Sequence, residues 1–174
     1  STLNLGLVGN GSFGALFDAK ARLVWSCLPA FDGDPTFCAL LSPKAGHGDW
    51  SIELDDFARS EQAYIENTAI LRTVLHDRHG ASIEILDFAP RWRQHGRFYR
   101  PVMLTRRVRL LSGSPRIRVL LRPLAEWGAR TPESTWGSNH IRFLLQDFAL
   151  RATTDMPIRL LREGLAFVLD RDLH

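Results

Sequence analysis

The chain of 174 residues is 45% hydrophobic and 24% charged, which is ordinary for a globular domain. A chain of this length buries about 70% of its unfolded surface on folding, so it needs no disulfide or metal for stability. It has no apolar run near the roughly 20 residues that cross a bilayer, and its first residues lack the pattern of a signal peptide. We therefore expect a single domain, residues 1–174, that is cytoplasmic and makes no membrane contact.

The net charge of +3 raises the question of a nucleic-acid partner. The arginines are interpreted as scattered through strands, as in Arg116-Ile117-Arg118-Val119, and not as gathered in one run. Arginine at solvent-facing strand positions explains that pattern, so no nucleic acid is expected as a partner. A basic nucleic-acid binder is kept as an alternative, which predicts steep salt dependence.

Short apolar runs and period-two patterns, separated by turn residues, dominate the chain, which favours an all-β fold. The predicted strands are, in chain order, 12–17, 22–28, 50–54, 63–66, 70–76, 81–88, 101–111, 115–122, 140–145, 148–154, 158–161 and 166–169. Hairpin turns are predicted at 18–21, 77–80 and 146–147, and one short helical turn at 37–41. We predict a large antiparallel β-sandwich (supersandwich-like) of about ten to twelve strands, with at most short helical turns.

Two motifs invite a cofactor or a metal. Gly9-Asn10-Gly11-Ser12-Phe13-Gly14 matches the dinucleotide fingerprint, but a strand is predicted after it where the fingerprint needs a helix. His76 and His79 flank a turn without a third ligand nearby. Cys27 and Cys38 have no metal-ligand spacing and are expected to be reduced. We expect no cofactor and no metal.

The segment 25–38 is the most informative part of the sequence. It concentrates aromatic rings, prolines and carboxylates, which suit sugar contacts because rings cover C–H patches and carboxylates accept hydroxyl hydrogen bonds. The other interpretation is that the aromatic residues fill the core and the aspartates cap turns. The candidate residues are Trp25, Phe31, Asp32, Asp34 and Phe37. Farther along, Trp127 and Trp136 are candidates for sugar stacking or for a seam against a partner domain.

No pair of carboxylates is nominated for catalysis. Glycoside hydrolysis needs two carboxyl groups facing each other at about 5–10 Å. The adjacent pairs Asp32/Asp34 and Asp55/Asp56 are too close in sequence to flank a sugar. The glutamates at 53, 61, 66 and 84 are interpreted as exposed strand or turn residues. We therefore predict no catalytic residue in this chain.

An ordered series of short segments resembles a known family. The segments are Leu7-Val8-Gly9-Asn10-Gly11, Val24-Trp25-Ser26-Cys27-Leu28-Pro29, Phe31-Asp32-Gly33-Asp34, Gly48-Asp49-Trp50-Ser51-Ile52, 68–73, Asp87-Phe88-Ala89-Pro90 and Arg106-Arg107-Val108. Together they resemble the N-terminal domain of bacterial glucoamylase- and trehalase-like glycoside hydrolases (family 15-type).

The resemblance implies a β-sandwich that precedes an (α/α)6 barrel in the same parent chain. Such a barrel carries the two catalytic glutamates and hydrolyses α-glucosides with inversion, so this chain is implied to be a non-catalytic part that shapes the pocket. The candidate residues at 25–37 then lie at the domain interface or the pocket rim. If the sandwich of relatives continues past Leu173, an open sheet edge is available for a homodimer. The alternative is an autonomous carbohydrate-binding module that binds oligosaccharide with Trp127 and Trp136.

Overall fold

A computed structural model describes residues 4–41 and 46–174; residues 1–3, on which the expectation about a signal peptide partly rests, lie outside the described residues. The strands are β1 (Gly6–Gly9), β2 (Gly14–Phe17), β3 (Leu23–Cys27), β4 (Pro35–Phe37), β5 (Asp49–Leu54), β6 (Phe57–Tyr64), β7 (Leu71–Asp77), β8 (Ser82–Phe88), β9 (Trp92–Gln94), β10 (Arg97–Tyr99), β11 (Thr105–Ser112), β12 (Arg116–Arg122), β13 (Glu133–Trp136), β14 (His140–Leu144), β15 (Ala149–Thr153) and β16 (Phe167–Val168). One helix, α1 (Ile158–Glu163), lies between β15 and β16. The all-β prediction is confirmed, and the described strands exceed the expected number through short elements such as β4, β9, β10 and β16.

The largest sheet joins the two halves of the sequence. Its strand order is β1-β2-β3-β5-β12-β16, with β4 pairing the end of β3 at Ser26 and Cys27, and its strands pair antiparallel. The turn between β2 and β3 forms because the Asp18 carboxylate accepts hydrogen bonds from the backbone N–H groups of Lys20 and Arg22. The predicted hairpin at 18–21 is confirmed.

The second layer is a four-stranded antiparallel sheet of order β11-β8-β7-β6. The turn between β7 and β8 is built by Asp77, whose carboxylate accepts the backbone N–H groups of His79 and Ala81 at 2.8 Å. Gly80 completes this turn with a φ of 92°, a conformation that glycine adopts without steric cost. The hairpin predicted at 77–80 is confirmed.

A three-stranded sheet, β13-β14-β15, and the helix α1 complete the wall around the larger core. Alternate residues of each strand point inward, so all three sheets supply apolar side chains to one buried cluster. Its members include Ile52, Leu75, Ile83, Ile85, Val108, Ile117, Val119, Ile141, Phe143 and Leu161. A second cluster lies under β1–β4 and contains Phe13, Phe17, Leu23, Phe37 and Leu71.

A buried arginine connects the two main layers. Arg106 on β11 lies directly opposite Asp87 on β8, and its Nε donates to Asp87 Oδ1 at 2.7 Å. The same guanidinium donates to the backbone carbonyls of Trp50 and Ala21, which belong to the largest sheet and its β2–β3 turn. It also lies 5.1 Å from the Phe17 ring centroid and 5.0 Å from that of Trp50. Arg106 therefore ties the second sheet to the first.

The segment 158–161, predicted as a strand, is instead the start of α1. Pro157 precedes the helix, Gly164 ends it with a left-handed φ of 60°, and the Gly164 N–H bonds to the Leu160 carbonyl. An Arg159–Glu163 ion pair one turn apart supports the exposed face. The helix has only six residues, which is too short for its apolar pattern to show a helical period.

Two other local predictions are wrong in position. The strand predicted at 63–66 overlaps only the end of β6, which starts at Phe57. Most residues of β6 are exposed, so its sequence shows little of the apolar alternation that marks a strand. The short helical turn predicted at 37–41 is a single hydrogen-bonded turn that starts one residue later: Phe37 is the last residue of β4, and the Leu41 N–H donates to the Cys38 carbonyl.

The end of the chain covers two sheet edges. β16 pairs with β12 at the edge of the largest sheet, and Leu173 bridges Val108 on the edge strand of the second sheet. The backbone N–H of each of these two residues donates to the other's carbonyl at 2.8 Å. Residues 167–173 thus satisfy backbone groups that an open edge would expose.

Candidate functional site

The loop between β3 and β4 separates the candidate aromatic residues. Phe37 is 2% exposed and packs in the second core cluster, and Trp25 is half-buried on β3. Phe31 is 63% exposed and lies over the backbone of Gly14, because a Cβ built there would meet the Phe31 ring at 3.0 Å. Asp32 beside it is also exposed. Of this group, Phe31 and Asp32 are therefore the side chains most available to a partner.

Asp34 holds a distant loop against this segment. Its carboxylate accepts the backbone N–H groups of Glu126 at 2.6 Å and Trp127 at 2.8 Å. Both of these residues have positive φ values, 55° and 56°, so their consecutive N–H groups converge on one anion. A further bond from Leu124 N–H to the Thr36 carbonyl fixes the loop to β4. We call Asp34 and residues 123–130 the Asp34 clamp.

The clamp presents Trp127 to solvent. Its side chain is 71% exposed, although its backbone is held by Asp34. A left-handed backbone costs about 1–3 kcal/mol at a non-glycine residue. The two charge-assisted hydrogen bonds offset that cost. Trp127 and Phe31 are thus carried on segments that Asp34 fastens together.

The two thiols lie close enough to the clamp to respond to its charge. Burial raises the pKa of Cys27, and the negative charge of Asp34 raises it further. The pKa of Cys38 is raised by the same two causes in the same order. Both cysteines are free. Gly128 of the clamp packs against Cys38, because a Cβ built on Gly128 would lie 3.2 Å from the Cys38 Sγ atom.

Trp136 belongs to a different part of the surface. It lies on β13, is 51% exposed, and is covered by Arg162 of α1, whose Cζ is 4.5 Å from the ring centroid. Trp127 and Trp136 therefore sit on separate elements. The stacked aromatic pair found among residues 4–41 and 46–174 is Trp92 with Tyr99.

A basic hairpin, which we call the arm (residues 91–100), was missed by the sequence analysis. β9 and β10 pair antiparallel about the two-residue loop His95-Gly96, and every residue of the arm is exposed. Both loop residues have positive φ, 49° and 73°, as a tight hairpin requires. The signal was present as the run Arg-Trp-Arg-Gln-His-Gly-Arg-Phe-Tyr-Arg. The interpretation of the arginines as scattered is wrong here.

The glycine-rich motif at 9–14 forms the base of this arm. It is the β1–β2 hairpin, so the predicted strand after it is confirmed. Asn10, only 3% exposed, donates through Nδ2 to the carbonyls of Pro90 at 3.0 Å and Pro101 at 2.8 Å. Those two carbonyls lie just before and just after the arm. The motif therefore serves as an anchor.

The buried carboxylates are engaged by arginine. Glu84 is 5% exposed and pairs with Arg72 and Arg109, so its interpretation as an exposed residue is wrong. Asp49 and Asp87 are fully buried and pair with arginines as well. Within the described parts of the chain, no three His, Cys, Asp or Glu side chains are grouped closely enough to hold a metal ion. Over the same residues, no helix has the length and apolarity to span a membrane.

Comparisons with known proteins give one match. The family model described as "Trehalase-like, N-terminal" matches residues 3–174. A search of curated proteins found no match, and neither did a search of solved structures. The match extends over nearly the whole chain, which the structure shows to be all-β in the described residues. The chain therefore belongs to the trehalase-like N-terminal domain family.

Proposed function

We propose that this chain is the non-catalytic N-terminal domain of a longer, cytoplasmic glycoside hydrolase that cleaves α-glucosides with inversion. The family match over residues 3–174 is the observation that carries this proposal. The arginine pairing of the buried carboxylates supports it, because their oxygens already make structural bonds. The catalytic acid and base are assigned to an (α/α)6 barrel in the same parent chain, where a separation of about 6.5–9.5 Å leaves room for the attacking water.

The proposed role of the domain is to pack on the barrel and shape the rim of its pocket. The Asp34 clamp supports this role, because it fastens two surface segments and exposes Phe31, Asp32 and Trp127 on them. Aromatic rings on anchored loops contact sugar faces at a low cost in conformational entropy. In this proposal Phe31 and Trp127 are rim contacts, while Trp25 and Phe37 support the loop from below.

Steady-state kinetics of the parent enzyme tests the rim role. For Trp127→Ala we expect a loss of about tenfold in kcat/KM on short α-glucosides, with KM changing more than kcat, since one aromatic contact contributes about 1.4 kcal/mol, which is a factor of ten in affinity. Phe31→Ala should also lower kcat/KM. Trp136→Ala is the matched control and should stay within about twofold, because its ring packs on Arg162. Unchanged kinetics in both rim variants would exclude the rim role.

The parent activity itself is a separate test. The chain 1–174 alone should release no glucose from maltose, trehalose or starch, whereas the parent protein should release β-glucose from at least one of them. Polarimetry or NMR of the first-formed anomer distinguishes inversion from retention. Hydrolysis by the isolated domain, or no hydrolysis by the parent, would contradict the proposal.

The second candidate function is an autonomous carbohydrate-binding module. The 71% exposure of Trp127 favours it, whereas Trp136 lies on another element and Arg162 lies over its ring. A saturable change in tryptophan fluorescence on titration with oligosaccharide, lost in Trp127→Ala, would support the module. The homodimer through an open edge also stays a prediction; sedimentation of the purified chain at several concentrations tests it.

A further inference from the structure

The arm differs from most of the basic surface in containing no acidic residue. Residues 91–100 include four arginines and no aspartate or glutamate. Elsewhere most arginines pair with carboxylates, as Arg72, Arg109 and Arg122 do. In the part of the chain that the structure describes, none of the four arm arginines forms such a pair. Their charge is therefore available to a partner.

The arm also exposes aromatic side chains in an ordered arrangement. The register places Trp92 opposite Tyr99, and their rings stack with centroids 5.6 Å apart and planes at 10°. On the other face Arg93 and Arg100 lie over the Phe98 ring, at 4.6 Å and 5.5 Å from its centroid. Tryptophan, tyrosine and arginine are the residues that contribute most to binding energy at protein interfaces.

The arm is anchored at its base but is otherwise unsupported. Asn10 bonds the carbonyls on both sides of it, and Ser12 Oγ donates to the Arg100 carbonyl at 3.1 Å. A two-stranded hairpin without further packing is marginally stable in water. Beyond the base, Val102 and Met103 are 47% and 45% exposed. The basic surface of the arm thus continues into an apolar one.

We propose that the arm, with Val102 and Met103, docks onto the catalytic domain of the same parent chain, at a surface carrying carboxylates beside apolar side chains. Charge complementarity specifies the carboxylates, because a guanidinium removed from water needs an ionised acceptor. The arrangement of the rings favours a protein over a nucleic acid. Single-stranded nucleic acid stacks its bases on free ring faces, whereas Trp92 and Tyr99 each use one face for their mutual stack and two arginines lie over the Phe98 ring. This inference rests on the proposed function.

Arginine labelling of the parent protein tests the docking. Phenylglyoxal modifies accessible guanidinium groups, and peptide mass spectrometry gives a rate at each site. Arg78 and Arg171, both exposed, serve as internal references. We expect Arg93 and Arg97 to be labelled at least about tenfold more slowly than the references, since labelling requires transient undocking. In about 1 M salt, where charges are screened beyond roughly 3 Å, the arm rates should approach the reference rates.

Variants separate docking from folding. Arg93→Glu/Arg97→Glu should raise the labelling rate of Arg100 about fivefold by undocking the arm. The far-UV circular dichroism spectrum should stay unchanged, because the arm lies outside both core clusters. Arg78→Glu/Arg171→Glu carries the same change in charge and should leave Arg100 as in the parent. If the charge reversal unfolds the domain, the milder Arg93→Gln/Arg97→Gln pair replaces it.

The outcomes distinguish this inference from the proposed function. Arm arginines labelled as fast as the references, in a parent that hydrolyses α-glucosides, would overturn the docking alone. A parent without hydrolytic activity would overturn the proposed function first. Protection that appears only when RNA or DNA is added, and disappears as salt rises, would assign the arm to nucleic acid and overturn the protein partner.

Discussion

Replacement of Arg106 by methionine should reduce the stability of the sandwich strongly. It leaves the Asp87 carboxylate, which is 0% exposed, without a counter-charge. It also removes the donor to the carbonyls of Trp50 and Ala21. Breaking a buried ion pair from one side costs about 3–5 kcal/mol. A domain has about 5–15 kcal/mol of stability in total, so Arg106→Met should lose a large fraction of it at neutral pH.

The loss of stability in Arg106→Met should depend on pH, and the burial of Asp87 determines whether it grows or shrinks as the pH rises. Burial raises the pKa of Asp87, and the Arg106 guanidinium lowers it in part. Removing that guanidinium raises the pKa of Asp87 further. A carboxyl whose pKa is raised on folding stabilises the fold fully below its unfolded pKa, and this contribution is lost as the pH rises through the folded pKa. Arg106→Met should therefore cost more at about pH 7.5 than at about pH 5, by at most roughly 1.4 kcal/mol per pH unit.

Urea unfolding followed by tryptophan fluorescence at both pH values measures these free energies. The double variant Asp87→Asn/Arg106→Met removes the titrating group, so the extra loss at higher pH should disappear. Arg106→Lys keeps the charge but not the fork of donors, and should give an intermediate loss. Arg107→Met, on the same strand but in an exposed pair with Asp172, should cost about 0.5 kcal/mol or less. A loss below about 1 kcal/mol at both pH values in Arg106→Met would refute this account of the layer contact.

Three further changes test the loops. Asp34→Ala should lower the free energy of unfolding by about 2–3 kcal/mol, because two charge-assisted hydrogen bonds are lost. The same variant should speed alkylation of Cys27 at about pH 8, because burial and the negative charge of Asp34 raise the Cys27 pKa and the charge is removed. An unchanged alkylation rate would contradict this effect of Asp34 on Cys27. Asn10→Ala leaves two carbonyls at the arm base without their donor and should cost about 1–3 kcal/mol, with faster amide exchange in the arm; equal exchange would argue against the anchor. Gly113→Ala should lower the free energy of unfolding by about 2 kcal/mol or more, since the φ of Gly113 is 70° and an added Cβ would lie 2.7 Å from the Cβ of Ala81. Gly80→Ala should lower it by about 1 kcal/mol, because Gly80 has a φ of 92° but open space around an added Cβ. Equal losses at the two glycines in thermal or urea unfolding would exclude the steric contribution.

Local features of the sequence predicted the hairpins well. The predictions of turns at 18–21 and 77–80 are confirmed. In each turn an aspartate side chain accepts hydrogen bonds from backbone groups within four residues, so the stabilising contact joins residues that are close in sequence. The helix α1 was missed because six residues give too few turns for a period to appear. The arm was missed for another reason: its alternation of arginine and aromatic residues buries no face, so no apolar pattern marks it.

The sequence by itself determined the all-β class, the family and the candidate residues, because alternation, turn chemistry and ordered motifs are properties of neighbouring residues. Only the tertiary structure decided where those residues lie and what they contact. It assigned Phe37 to the core and Phe31 to the surface, and it joined Asp34 to backbone N–H groups more than ninety positions away. It also showed that Asn10 of the glycine-rich motif anchors the arm by donating hydrogen bonds to the carbonyls of Pro90 and Pro101. Contacts of this kind depend on how the sheets bring distant segments together, and a local pattern carries no information about that approach.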